Sequence, residues 1–146
     1  MLGFLNTIKN KNKFDEISNL DKAVMISSLM IECAKIDNCF SDKEKNLILE
    51  ILEKKLYLNP DECKMCFETA LNSSEESVEV YSLTRDIREN FSKDEIMLIF
   101  QYLWQIILSD GVIDDFEASV MSKLTGLFHL TGKENAEARE AAQESL

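Results

Sequence analysis

Glycine and proline are scarce in this sequence, with only four glycines and one proline among 146 residues. All-β domains need many turns rich in these residues, so their scarcity argues against a sandwich or a barrel and favours helices. Long apolar runs are also missing. The most apolar stretch, residues 96–108, contains Gln101 and Gln105 and is shorter than the roughly 20 residues that a membrane-spanning helix requires. We expect this stretch to form a buried core helix.

Basic residues are outnumbered, because 27 acidic against 16 basic side chains give a formal net charge of −11. A surface of that sign repels a phosphate backbone, so nucleic acid is not expected as a partner. Such a surface suits cations or a basic patch on another protein. The sequence also lacks a nucleophile–base pair, a phosphate-binding glycine loop and a His–carboxylate metal motif, so we do not expect an enzyme.

The chain has four cysteines and one histidine. No signal-peptide pattern is recognisable, so we expect reduced cysteines and a cytoplasmic location. Cys63 and Cys66 could form half of a zinc site or a redox pair, but they share one apolar helical face with Phe67, which favours core packing. His129 precedes a predicted helix start and is expected to complement a helix end or to lie exposed.

Six helix starts are indicated by capping patterns, in which Ser, Thr, Asn or Asp precedes an acidic residue by three positions. The pairs are Ser18/Asp21, Ser41/Glu44, Asn59/Glu62, Ser92/Glu95, Asp114/Glu117 and Thr131/Glu134. Helical periodicity agrees, since apolar side chains form one face in residues 26–34, 47–52 and 116–128. We therefore predict an all-α helical bundle, with further helices at 60–71, 77–90 and 93–109.

The predicted organisation is one helical domain at 18–130, preceded by a basic and apolar segment at 1–17 and followed by a C-terminal helix or tail at 131–146. Residues 1–13 combine apolar side chains with lysines. This composition favours weak peripheral contact with an anionic membrane. Packing of the same segment on the bundle is the alternative.

An internal repeat relates two parts of the chain, because residues 34–44 align with residues 107–117. Corresponding positions are Asp37 and Asp110, Phe40 and Ile113, Asp42 and Asp115, and Glu44 and Glu117. We therefore predict two related helix–loop–helix hairpins, each with an acidic loop.

The two acidic loops, the Tyr-Ser-Leu-Thr-Arg segment at 81–85 and Trp104 together resemble the TerB family over residues 21–130. The resemblance implies an all-helical domain associated with tellurite resistance and wider stress responses. Asn38 stands where the family usually has glycine, and Gln105 stands where a glutamate is frequent. Arg85 and Arg88 could pair with the acidic loops or bind an anion, and the resemblance favours a structural role for Arg85.

The predicted hairpins would gather eight carboxylates at one end of the bundle if they pack about a pseudo-two-fold axis. These carboxylates are Glu32, Asp37, Asp42, Glu44, Asp110, Asp114, Asp115 and Glu117. Carboxylates suit calcium, magnesium or manganese, so a divalent cation is the candidate cofactor. Neither loop is an EF-hand, because residues that cannot bind calcium stand at the first two ligand positions. Helix capping alone is the alternative explanation for these carboxylates.

The sequence thus predicts a non-enzymatic, stress-linked TerB-like binding protein, cytoplasmic or peripheral at the inner face of the membrane. Its acidic loops are expected to bind a divalent cation, a membrane-associated protein partner, or both. A small carboxylate-dependent metalloenzyme or hydrolase, and a peripheral membrane scaffold, are the alternatives.

Overall fold

The computed structural model describes residues 19–35, 41–75, 80–109 and 115–145. Within these ranges the chain forms helices and no strand, which confirms the all-α prediction. The helices are α1 Asn19–Ala34, α2 Asp42–Lys54, α3 Pro60–Glu75, α4 Val80–Asn90, α5 Lys93–Leu108, α6 Asp115–Leu127 and α7 Gly132–Glu144. Among these described helices, none is both long and apolar enough to cross a bilayer.

Reciprocal caps start four of the helices. In α3, the backbone N–H of Asn59 donates to Glu62 Oε1 at 3.0 Å, and the N–H of Glu62 donates to Asn59 Oδ1 at 2.8 Å. The boxes at Ser41/Glu44, Ser92/Glu95 and Thr131/Glu134 have the same arrangement. These four predicted helix starts are confirmed. The two other predicted pairs include Ser18 and Asp114, which lie outside the described residues.

The core is built around α1 and α5. Helix α1 packs against α2, α3, α4 and α5, while α5 also contacts α2 and α7. Ile99, Phe100 and Leu103 of α5 are completely buried, and the Phe100 ring meets the Phe128 ring edge-on with centroids 5.4 Å apart. The prediction that residues 96–108 form a buried core helix is therefore confirmed.

Helix α7 covers one side of α5. Ala138 and Ala142 are buried, and these small side chains let the two helices approach closely. The indole N–H of Trp104 on α5 donates to Asn135 Oδ1 at 2.9 Å, and the Arg139 guanidinium lies 5.3 Å from the centroid of the Trp104 ring. Residues 132–144 thus contribute to the same core as the helices before them.

Among the described non-glycine residues, two adopt left-handed backbone angles, each just after a helix: Tyr57 with φ 58° and His129 with φ 57°. After α6, the N–H of His129 donates to Gly126 O at 3.1 Å and the N–H of Leu130 donates to Thr125 O at 2.9 Å. This pair of bonds is the Schellman arrangement, in which a left-handed residue closes the helix and satisfies its last carbonyls. His129 occupies the place that glycine usually takes.

Candidate functional site

The ends of the helices that flank the two predicted acidic loops lie together. Lys43, in the first turn of α2, donates from Nζ to the backbone carbonyl of Ser109, which follows α5. Carbonyls at a helix C-terminus carry partial negative charge, so a lysine cation is stabilising there. The contact holds the residues after the first loop beside the residues before the second. We call the part of the bundle formed by residues 32–35, 41–44, 109 and 117 the loop end.

A second relation across the loop end involves the thiol of Cys33 near the end of α1. Burial, followed by the negative charges of Glu32 and Glu117, raises the pKa of this thiol to about 12. Coulombic influence falls with distance, so Glu117 in the first turn of α6 must lie near the end of α1. Two of the eight predicted carboxylates, one from each predicted hairpin, are thereby brought towards the same thiol. Glu117 is itself buried, with 8% of its surface exposed.

The carboxylates at the start of α2 are arranged as caps. Glu44 Oε1 accepts from the Ser41 N–H at 3.1 Å and from the Ser41 hydroxyl at 2.9 Å. Asp42 is exposed in the first turn of α2, where a negative charge complements the helix dipole. Capping therefore accounts for the local positions of both residues.

Four of the eight predicted carboxylates are not among the described side chains. Asp37, Asp110 and Asp114 lie outside the described residues, as does the side chain of Asp115, whose backbone begins α6. Among the side chains that are described, no group of three His, Cys, Asp or Glu residues is arranged to hold a metal ion. The complete cluster of eight carboxylates and the internal repeat both stay predictions.

Lys43 is the residue of the loop end that the sequence reasoning missed. It stands between Asp42 and Glu44 at the start of a helix, where a positive charge opposes the helix dipole. That local mismatch is the signal that could have indicated a tertiary role. Its acceptor, the carbonyl of Ser109, could not have been predicted because a backbone carbonyl has no sequence signature.

A family model described as tellurite resistance protein TerB matches residues 23–140. The match begins in the first turns of α1, includes both acidic loops and ends within α7, so it covers most of the chain. The chain belongs to the TerB family. No curated protein and no solved structure matches it.

Several of the described residues that carried the resemblance to TerB are buried in the helical core. In this TerB-family protein, Leu83 and Thr84 of the 81–85 segment are buried on α4, and Trp104 is 2% exposed. Arg85 is instead exposed at the surface. The family match also extends past residue 130, where the resemblance in the sequence ended, and takes in most of α7.

The Cys63-x-x-Cys66 pair lies in the core, with 4% and 0% of the two side chains exposed. Burial is the largest cause that raises the pKa of the Cys66 thiol to about 11, followed by the charge of Cys63. The thiolate is the reactive form of cysteine, so a raised pKa suppresses redox exchange and metal ligation. These positions agree with core packing and not with a redox or zinc motif.

Proposed function

We propose that this TerB-family protein acts in a tellurite resistance-related stress response by binding and not by catalysis. Its loop end, completed by residues 36–40 and 110–114, binds a divalent cation and docks on a protein partner associated with the inner face of the membrane. The observation that carries the proposal is the bond from Lys43 to the carbonyl of Ser109, since it brings the flanks of both acidic loops together.

The chemistry of the residues at the loop end fits a hard cation. Glu32, Glu44 and Glu117 supply carboxylate oxygens, which calcium, magnesium and manganese prefer over nitrogen or sulfur ligands. The Cys33 thiol, whose pKa is raised, is kept in its neutral form and competes poorly for the cation. Asp37, Asp110 and Asp114 would add the carboxylates that the described residues lack.

A partner with a basic surface follows from the charge of the chain, which is −11. Complementary charge accelerates encounter and selects against wrong partners. Binding of a cation at the loop end would lower the negative charge there, so cation and partner are expected to influence each other's binding.

The test measures the melting temperature with and without magnesium, calcium or manganese. A cation that binds only the folded protein stabilises it by mass action, by about 1.4 kcal/mol at ten times its dissociation constant. We expect the gain to shrink in the Asp37→Asn/Asp110→Asn variant, because the substitutions remove charge with little change of shape.

Two controls separate the cation site from other effects. The Glu137→Gln/Glu140→Gln variant changes the net charge equally at exposed positions on α7 and should keep the cation effect. Ser41→Ala should cost about 1 kcal/mol in every buffer, because it removes a helix cap. The cation site is rejected if calorimetry detects no binding at millimolar concentration and the Asp37/Asp110 variant melts like the parent throughout.

The docking part is tested by affinity capture from a membrane fraction with the parent and with both double variants as bait. We expect the Asp37→Asn/Asp110→Asn bait to lose a basic membrane-associated protein that the parent and the Glu137→Gln/Glu140→Gln bait retain. Identical capture by all three would contradict docking through the acidic loops.

A further inference from the structure

A cleft of about 450 Å³ lies where the C-terminal ends of α4 and α6 meet the beginning of α5. We call it the basic cleft, because Arg85, Arg88, Lys93 and His129 line it. The loop end lies at the other end of α5, whose 16 residues span about 24 Å at 1.5 Å per residue. The cleft is therefore separate from the loop end.

Local structure explains why these side chains meet. Arg85 and Arg88 are three positions apart on α4 and so share one face of that helix. The Schellman arrangement after α6 holds His129 opposite them, and Arg88 Nη1 lies 3.3 Å from His129 Nε2. Arginine can only donate, so Nε2 is the acceptor in this contact.

The two arginines have donor capacity that the described part of the chain does not use. The Nε atom of Arg88 is buried, and no acceptor among the described residues bonds to it. Within the same ranges, neither Arg85 nor Arg88 forms an ion pair with a carboxylate. Lys93 differs, because its Nζ pairs with Glu134 Oε2 at 2.7 Å.

Below the arginines the cleft is apolar. Phe91, Ile96 and Phe128 line it and are only 6%, 6% and 3% exposed. The one carboxylate among the lining residues is Glu89. Lys93 is offset by Glu134, so Arg85, Arg88 and Glu89 give the cleft a formal charge of about +1, on a chain whose net charge is −11.

We propose that the basic cleft binds a phosphate monoester, with the phosphate on Arg85 and Arg88 and the organic group over the apolar floor. Guanidinium groups bind phosphate oxygens in a bidentate manner, which uses donors that have no acceptor among the described residues. A phosphate monoester carries about −1.5 to −2 charges at pH 7, which is opposite in sign to the charge of the cleft. A few placed polar groups around an apolar surface are the usual composition of a small-molecule site.

The test is isothermal titration calorimetry at low ionic strength, with phenyl phosphate and inorganic phosphate as probes. The parent should bind both probes and should bind phenyl phosphate more tightly, because its ring covers the apolar floor. The Arg85→Gln/Arg88→Gln variant should bind phenyl phosphate about tenfold or more weakly, since the bidentate contacts are lost.

Matched variants keep the result interpretable. Lys55→Gln/Lys64→Gln removes the same charge at exposed positions that do not line the basic cleft. This variant should bind like the parent. Asp37→Asn/Asp110→Asn should also bind like the parent, because it alters only the acidic loops. If the double arginine variant does not fold, Arg85→Gln alone is the test. Arg85 is exposed, so its substitution should weaken binding without loss of structure.

The proposal is overturned if the parent gives no binding heat at millimolar phenyl phosphate, or if the lysine variant loses affinity as much as the arginine variant. If the parent binds phenyl phosphate, flotation with vesicles containing phosphatidic acid identifies the source of the phosphate. Flotation that the arginine substitutions abolish assigns the site to a lipid headgroup. Binding of phenyl phosphate without flotation assigns it to a soluble phosphate monoester.

Discussion

At the scale of single residues, the Cys33 thiol makes stability depend on alkaline pH. Its pKa rises to about 12 in the folded protein, against about 8.5 in an unfolded chain. Between these pH values the thiol is ionised in the unfolded state and protonated in the folded state. The unfolding free energy is therefore highest below the unfolded pKa and falls as the pH rises above it. We expect the unfolding free energy to fall between about pH 8 and pH 10, and Cys33→Ala to reduce that slope by at most about 1.4 kcal/mol per pH unit.

Urea unfolding at several pH values measures this slope. Met30→Ala is the matched control, because it also empties a buried position near Cys33 but removes no titrating group. It should lower stability at every pH and leave the slope as in the parent. Cys66, whose pKa burial also raises to about 11, keeps part of the slope in both variants. An identical slope in the parent and Cys33→Ala would contradict the role given to this thiol.

Tyr57 carries a backbone strain that glycine would remove. Its φ of 58° brings the Cβ of an L-residue close to the following carbonyl oxygen, and 53% of its side chain is exposed. Glycine avoids this clash, but it also makes the unfolded chain more flexible, which offsets part of the gain in stability. We expect Tyr57→Gly to be more stable than Tyr57→Ala by about 1 kcal/mol in urea unfolding. Equal stability would mean that the turn after α2 relaxes to another conformation.

Lys22 shows what residue type alone does not reveal. A lysine in the first turns of a helix is expected to be solvated, yet only 1% of Lys22 is exposed and its Nζ lies 5.8 Å from the centroid of the Phe91 ring. The position of Phe91 beside α1 depends on how α4 and α5 pack, and this contact has no local signature in the sequence.

At the scale of secondary-structure elements, α7 supports a test with Trp104, the only tryptophan. Ending the chain after Leu130 removes Asn135, Ala138 and Ala142 from the surface of α5. We expect the emission of Trp104 to move to longer wavelength, because water reaches the indole, and the urea midpoint to fall.

The control for this truncation is Asn135→Ala, which keeps the helix but leaves the indole N–H without its acceptor. It should cost about 1–3 kcal/mol while the emission stays near that of the parent. If the truncated protein has the emission and the midpoint of the full chain, α7 is not part of the cooperative unit.

Four capped helix starts were predictable, and so were the ends of α4 and α5, which fall at Asn90 and Leu108 against predicted ends at 90 and 109. The ends of α2 and α6 had no signal in the sequence, for a physical reason. A cap such as Thr131/Glu134 is a contact between residues three positions apart, so its pattern can be read directly. The ends of α2 and α6 instead use Tyr57 and His129 in left-handed conformations, where the sequence offers no glycine as a signal. Helix α3 likewise continues to Glu75, beyond the predicted end at residue 71.

At the scale of the whole molecule, composition and periodicity predicted the all-α class and the central position of α5. They did not predict which surfaces pair, as the contact of α7 with α5 shows. The alanine- and glutamate-rich sequence of α7 fits a solvated helix as well as one that packs on the core. The candidate site of eight carboxylates stays a prediction, because Asp37, Asp110 and Asp114 lie outside the described residues. Anion binding by Arg85 and Arg88 was one of the alternatives that the sequence left open, but the basic cleft itself was not predicted, since Arg88 and His129 meet only through tertiary packing.

The position of α7 in the chain also affects the order of events during synthesis. Helix α5 has apolar side chains around most of its circumference, and α7, which covers one side, is translated after it. At about 5–20 residues per second, the 36 residues that follow Leu108, up to Glu144, take about 2 to 7 seconds to make. During that interval the nascent bundle presents an uncovered hydrophobic surface, which is a binding surface for chaperones and a starting point for aggregation on the ribosome.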